Sequence, residues 1–181
     1  MKIRQETLRL WNASGHEHQI SVFFASDEGQ AVLGACYEQG IAEVEPETQI
    51  VDWCASYIPP NEFDPGEALL GNGRIDLEIP SLRGIGLGSL LMRPLASWIK
   101  SHTLDVPIGP INLSADDAKS PDERRIRNRF YEKLGFKFKY EDAEQTWGES
   151  LPMSCSGLLV PNFCLSQGWK VETIAGVGQV Y

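Results

Sequence analysis

Apolar and polar positions alternate, or recur at helical spacing, over enough of the chain to predict most of its elements. Residues 6–12 alternate weakly and predict a first strand. The β-rich run QISVFFA at 19–25 suits a second strand or a short helix. Residues 31–37 and 50–58, rich in Val, Ile, Cys and aromatics, suit further strands. Residues 59–73 are broken by Pro59-Pro60, Asp64-Pro65-Gly66 and Gly71-Asn72-Gly73, turn chemistry that predicts a long loop.

From residue 74 the pattern sharpens. Ile75, Leu77 and Ile79 point one way and Arg74, Asp76 and Glu78 the other, so 74–79 reads as a strand with one buried and one polar face. The chain then passes through Pro80 and LRGIGLG into a helix. Leu87, Leu90, Leu91, Leu95, Trp98 and Ile99 form its apolar stripe. Pro94 removes the bond to the Leu90 carbonyl and predicts a local kink. Residues 108–115 read as a short strand. Ser120-Pro121-Asp122-Glu123 then starts a second helix with a cap, a proline at the first helical position and a capping box. That helix carries Ile126, Phe130 and Leu134 as its apolar stripe and stops at Gly135. Residues 136–140 alternate as a strand, and 157–160 and 169–174 suit closing strands. With no internal repeat and no dividing linker, the expectation is one domain over residues 1–181 with an α/β (α+β) fold.

Composition narrows the class. A length of 181 residues against a prior of ~150 per domain agrees with a single domain. No apolar run reaches the ~18 residues of a membrane helix, and MKIRQETLRLWN has no apolar signal region, so a cytoplasmic protein is expected. Cys36, Cys54, Cys155 and Cys164 form no CxxC pair and are expected to be reduced and buried. His16 and His18 flank Glu17 in a polar stretch and read as solvated loop histidines, so no metal is expected. The net charge of −9 is unevenly placed. Between Leu10 and Gly73 there is no lysine or arginine against eleven acids, whereas residues 74–181 carry thirteen of each sign. Such a surface repels nucleic acid and anionic membrane and attracts cations, or serves solubility alone.

The segment Arg83-Gly84-Ile85-Gly86-Leu87-Gly88 carries the candidate chemistry. Its glycines let a ligand approach the backbone, and the helix start behind them offers free N–H groups, which suits a phosphate or pyrophosphate. A dinucleotide fingerprint would need glycine at position 89, which is serine, and no Gly-Lys-Ser/Thr of a Walker loop exists. The strand–RGIGLG–helix pattern resembles the coenzyme A loop of the GNAT superfamily of acyl-CoA-dependent N-acyltransferases. That motif, Arg/Gln-x-x-Gly-x-Gly/Ala, is met by Arg83, Gly86 and Gly88, and Pro80 sits where relatives often have proline. The segment from Asn128 to Phe136, NRFYEKLGF, is similar to the superfamily's second signature, and the order of elements is also similar. Arg124 and Glu78 stand where many relatives carry an asparagine and an apolar residue.

The resemblance implies a mixed, largely antiparallel sheet flanked by helices, with the cofactor in a wedge where central strands part. It implies transfer of an acyl group, acetyl foremost, from acetyl-CoA to a primary amine in a direct ternary complex, with no metal. Arg83, Gly84, Ile85, Gly86, Leu87, Gly88 and Ser89 would hold the pyrophosphate, and Leu77 and Ile79 would border the pantetheine arm. Asn128 would lie beside the cofactor. Tyr131 aligns with the tyrosine that protonates the departing thiolate, or else is a core aromatic beside Phe130. Glu78, or Asp76, could take the acceptor's proton, or Glu78 could pair with Arg74. Arg124 and Arg127 would meet cofactor phosphates or solvent. No cysteine lies within the motifs, which disfavours a covalent acyl-enzyme. The acidic first half suggests a small cationic amine or a basic peptide as acceptor, and argues against nucleic acid. The alternative is a non-catalytic acyl-CoA-binding sensor or protein-interaction module.

Overall fold

A computed structural model describes residues 1–71, 77, 79–162, 165–166 and 168–180. Four long strands come first: β1 (Lys2–Trp11), β2 (Glu17–Ser26), β3 (Gln30–Gly40) and β4 (Thr48–Ile58). Each pairs antiparallel with the next, through registers such as Leu8↔Ile20 and Leu33↔Trp53. The run 19–25 is therefore strand, not helix. The segment expected as a long loop contains β5 (Glu67–Leu70), in which Ala68 and Leu70 face inward. Four residues between turn motifs are too few for periodicity to reveal.

Next come α1 (Leu87–Lys100), β6 (Pro107–Ile108), β7 (Asn112–Leu113) and α2 (Pro121–Lys133). The chain ends with β8 (Phe138–Tyr140), β9 (Gly148–Ser150), β10 (Met153–Ser154) and β11 (Lys170–Val180). The result is a mixed α+β fold with a mostly antiparallel eight-stranded sheet, ordered β10-β6-β5-β4-β3-β2-β1-β11, and a three-stranded sheet, β7-β9-β8. The strand expected at 169–174 extends along the whole of β1, while 157–160 forms no strand and follows a 3-10 turn at Cys155–Gly157.

One face of the large sheet builds the core. Ile20, Leu33, Tyr37, Trp53 and Ala55 are buried there beneath α1, which contributes Leu87, Leu91, Met92, Leu95, Ala96 and Ile99. Burying each large aliphatic side chain contributes roughly 1.5–3 kcal/mol. The helix runs unbroken through Pro94. Trp98 Nε1 donates to the Asp27 carbonyl at 3.0 Å, which fixes the C-terminal end of α1 at the β2–β3 turn. The glycine loop at its other end therefore lies toward the β3–β4 turn.

β5 and β6 form the parallel pair, with Ala68 opposite Ile108 and the Gly109 N–H on the Ala68 carbonyl at 2.8 Å. Beyond that point the strands part. Gly109-Pro110 turns the chain into β7 and the second sheet, so the strand expected over 108–115 is split between two sheets. A Cβ at Gly109 would stand 2.4 Å from Cδ2 of the exposed Leu69 side chain, which would have to turn aside. β9 and β10 cross between the sheets in the same way, on β7 and β6.

α2 has the expected capping box and proline, and Gly135 follows it at φ 97°. Its stripe differs from expectation: Ile126 is 46% exposed, and Phe130, Tyr131 and Leu134 meet the core instead. The expected strand at 74–79, with Asp76 and Glu78, lies outside the described residues except for Leu77 and Ile79.

Candidate functional site

The glycine loop begins α1 in a left-handed backbone conformation: Gly84 has φ 74°, and Gly86, the N-cap, has φ 94°. No side chain caps the helix, and among the described residues the N–H groups of Leu87, Gly88 and Ser89 meet no protein acceptor. The carbonyl side of the loop is closed. Ser166 donates its N–H to Ile85 O at 2.9 Å and its hydroxyl to Gly84 O at 2.6 Å. Donors face outward and acceptors inward, the polarity an anion requires. Ile85, Leu87 and Ser89 are buried and anchor the loop, and a Cβ at Gly84 would stand in open space.

Two of the residues expected at the ligand also make contacts within the protein. Arg83 is a tie: Nε donates to Leu77 O at 2.7 Å and a terminal nitrogen to Glu123 Oε1 at 3.4 Å, linking Leu77, the loop and the start of α2. At Gly88 a Cβ would lie 3.5 Å from the Phe130 ring, an ordinary contact, so this position faces α2 and has room for an alanine.

Phe130 also leans on Trp53, with ring centroids 6.1 Å apart. Tyr131, on the adjoining position, is half-buried with Phe130, Phe136 and Phe138 edge-on around it at 5.3, 6.1 and 5.8 Å. Asn128 is buried and turns toward the β8–β9 connection, donating to Gln145 O at 3.3 Å. Arg127 donates to Asn128 Oδ1 and to the carbonyls of Ser114, Gln145 and Thr146, so it fastens that connection and meets neither solvent alone nor a free anion site. Arg124, Arg125 and Arg129 line an open groove beside Glu144. Leu77 and Ile79 adjoin the glycine loop, whereas Asn128 does not; Glu78 and Asp76 lie outside the described residues.

The end of the sheet near the loop holds groups that sequence reasoning missed. His18 is fully buried, which overturns its reading as a solvated loop residue. β2 starts at Glu17, which puts His18 in phase with Ile20 and Val22; that parity was the available signal. Its Nδ1 lies 3.0 Å from Tyr37 Oη, and its ring stacks on Trp169 at 5.3 Å. Burial above all, and secondarily His16, holds its pKa below the ordinary histidine value. Cys36 and Cys54 are half-buried on the uncovered sheet face and only Cys155 is fully buried, a correction to the expectation for these three. Burial raises all three thiols, which makes them poor nucleophiles.

Among the described residues no three His, Cys, Asp or Glu side chains gather as metal ligands, and no helix is long and apolar enough to cross a membrane. No family model matches the chain, and no curated protein or solved structure is significantly similar to it.

Proposed function

We propose that the chain is a cytoplasmic GNAT-type N-acyltransferase that passes an acyl group, acetyl foremost, from acyl-coenzyme A to a primary amine. One observation carries the reading: α1 begins with an uncapped glycine loop at the end of the sheet toward which the parallel strands β5 and β6 part. A pyrophosphate fits this cradle, because the N–H groups of Leu87, Gly88 and Ser89 point outward, the positive helix end lies behind them, and Gly84 leaves open space. Strands that part beyond Ala68 and Ile108 would give an extended arm room beside Leu77 and Ile79.

The thioester of the bound donor supplies the activated acyl group. Arg83 keeps the loop in register with Leu77 and with α2. Tyr131 donates its phenolic proton to the departing thiolate; a phenol with ordinary pKa ~10 is matched to a thiolate of ~8.5–10. Glu78 or Asp76 takes the proton from the acceptor ammonium. Glu43, Glu45 and Glu47, on the turn at the same end of the sheet, favour a cationic acceptor such as a small amine or a basic peptide.

The aromatic surround of Tyr131 favours a second reading, an acyl-CoA-binding module without turnover. Thermal-shift titration with coenzyme A and a thiol-release assay with acetyl-CoA and pooled amines separate the two. The enzyme reading expects stabilisation of ~2.7 kcal/mol at 100 times the dissociation constant, and turnover that falls ~10²–10⁴-fold in Tyr131→Phe with unchanged coenzyme A affinity. Binding without turnover leaves the module, and no response to millimolar coenzyme A refutes both.

A further inference from the structure

The acidic β3–β4 turn and the glycine loop are joined by a chain of contacts whose middle, Tyr37, His18 and Trp169, is buried. The Ala42 N–H donates to Tyr37 Oη at 3.0 Å, and Tyr37 Oη lies 3.0 Å from His18 Nδ1. His18 stacks on Trp169, whose N–H bonds Ser166 O at 3.2 Å, and Ser166 bonds both Gly84 and Ile85. Tyr37 is only 1% exposed and its hydroxyl proton has one acceptor among the described residues, His18 Nδ1. With the Tyr37 hydroxyl donating to Nδ1, a neutral ring carries its proton on Nε2, a buried nitrogen without a partner among the described residues. A second proton would turn Nδ1 into a donor facing a hydroxyl that already donates to it, and would bury a cation with no counter-charge.

We propose that His18 is a positioning residue that braces the acidic turn and the glycine loop together, and that its protonation releases both. The brace itself depends only on these contacts; its effect on cofactor binding rests on the acyl-CoA reading. The surrounding charges do not compensate. The Arg9–Glu17 pair on β1 and β2, Tyr37 on β3, Glu43, Glu45 and Glu47 on the turn, and Lys170 beyond Trp169 leave His18 unassisted, and His16 opposes its protonation. The sign follows: the brace is intact above the ordinary histidine pKa of ~6.5 and is lost as pH falls toward the lower folded value.

Residue-resolved amide exchange on the full chain without ligand, at pH 7.5 and 5.0 and corrected for intrinsic rates, tests the brace. Protection at Ala42 and Ser166 is expected to fall at least tenfold at pH 5.0, while Arg124, in the first turn of α2, is unchanged. His18→Phe keeps a ring against Trp169 but has no nitrogen to titrate; its Ala42 amide should be weakly protected at both pH values, with no pH response. Tyr37→Phe, which removes the shared hydroxyl, should do the same and serves if His18→Phe does not fold. Wild-type protection at Ala42 and Ser166 that ignores pH, a pH response at either amide that survives in His18→Phe, or one at Ala42 that survives in Tyr37→Phe, overturns the proposal. Calorimetry with coenzyme A from pH 5 to 8 reads the second arm: affinity should weaken toward acid in wild type and not in His18→Phe. A pH-dependent brace with no coenzyme A binding at any pH would defeat the acyl-CoA reading and leave the brace standing. Binding whose pH dependence persists in His18→Phe would defeat the coupling alone.

Discussion

Substituting Gly88 distinguishes a glycine kept for backbone conformation from one kept for contact. Gly88 lies in the first turn of α1 outside the set of positive-φ residues, so alanine meets no conformational penalty there. Its Cβ would sit 3.5 and 3.6 Å from Phe130 Cε2 and Cδ2, an ordinary van der Waals separation. Alanine in a helix is favoured over glycine by about 0.8–1.0 kcal/mol, part of which applies in a first turn. Gly88→Ala should therefore stabilise the protein by up to ~1 kcal/mol, or ~2–4 °C in Tm for a chain of this size. Gly88→Leu must push its outer carbons into Phe130, which Trp53 backs, and should cost ~1–3 kcal/mol by overpacking. Gly84→Ala is the contrasting case: nothing lies within 4 Å of its Cβ, but φ is 74°, so ~1–2 kcal/mol of backbone strain is expected without a clash. Urea unfolding of the three variants reads all of this. A Gly88→Ala protein less stable by more than ~1 kcal/mol, or a Gly88→Leu protein as stable as wild type, would refute the assignment of Gly88 to helix contact.

Ser120→Ala removes the hydroxyl that accepts the Glu123 N–H and should lower the urea stability by about 1 kcal/mol, with Ser120→Asp recovering most of it. The Asp105 carboxylate is held below its ordinary pKa by the Ser156 N–H and the Ser154 and Ser156 hydroxyls. Its contribution is present above ~3.9 and lost as pH falls through the lower folded value, so Asp105→Asn should flatten that part of the stability profile measured from pH 5 to 2. Charge reversal at Glu43, Glu45 and Glu47 should weaken the dependence of acceptor kcat/KM on salt between ~50 and ~500 mM, whereas reversal at Glu28 should leave it intact.

Elements whose cause is local were legible in the sequence. The stripe of α1, the capping box at Ser120 and the stop at Gly135 each depend on neighbours within a few positions. What escaped depends on distant partners. β5 is a strand because β4 and β6 flank it, and the bend at Gly109-Pro110 matters because Ala68 and Leu69 lie against it. The motif that contains Arg83 and Gly88 is local and legible, whereas their neighbours Glu123 and Phe130 lie about forty residues away and meet them only through the packing of α2 on α1. His18 escaped for a smaller reason, a strand start placed two residues late, which left its inward parity unread.

The same geometry divides the acidity of the first half, which composition presents as one property. Asp27, which accepts the Gly29 and Gln30 N–H groups, and Asp64, which accepts that of Gly66, are spent on turns at the far end of the sheet. Glu28, Glu62 and Glu67 lie at that end with them, beyond the C-terminal end of α1. Fourteen residues of helix separate the two ends, roughly 21 Å, more than two Debye lengths of ~8 Å at physiological salt. Fields from the far end therefore do not reach a ligand at the glycine loop. Asp52 faces outward on the uncovered face of the sheet, and Glu17 is neutralised by Arg9 at 2.7 Å. What remains to attract a cation to the loop end is Glu38 on β3 and Glu43, Glu45 and Glu47 on the turn. That turn is also the one held by the Ala42–Tyr37–His18 path, so the proposed brace would couple the charge that draws in an acceptor to the backbone that would hold a cofactor.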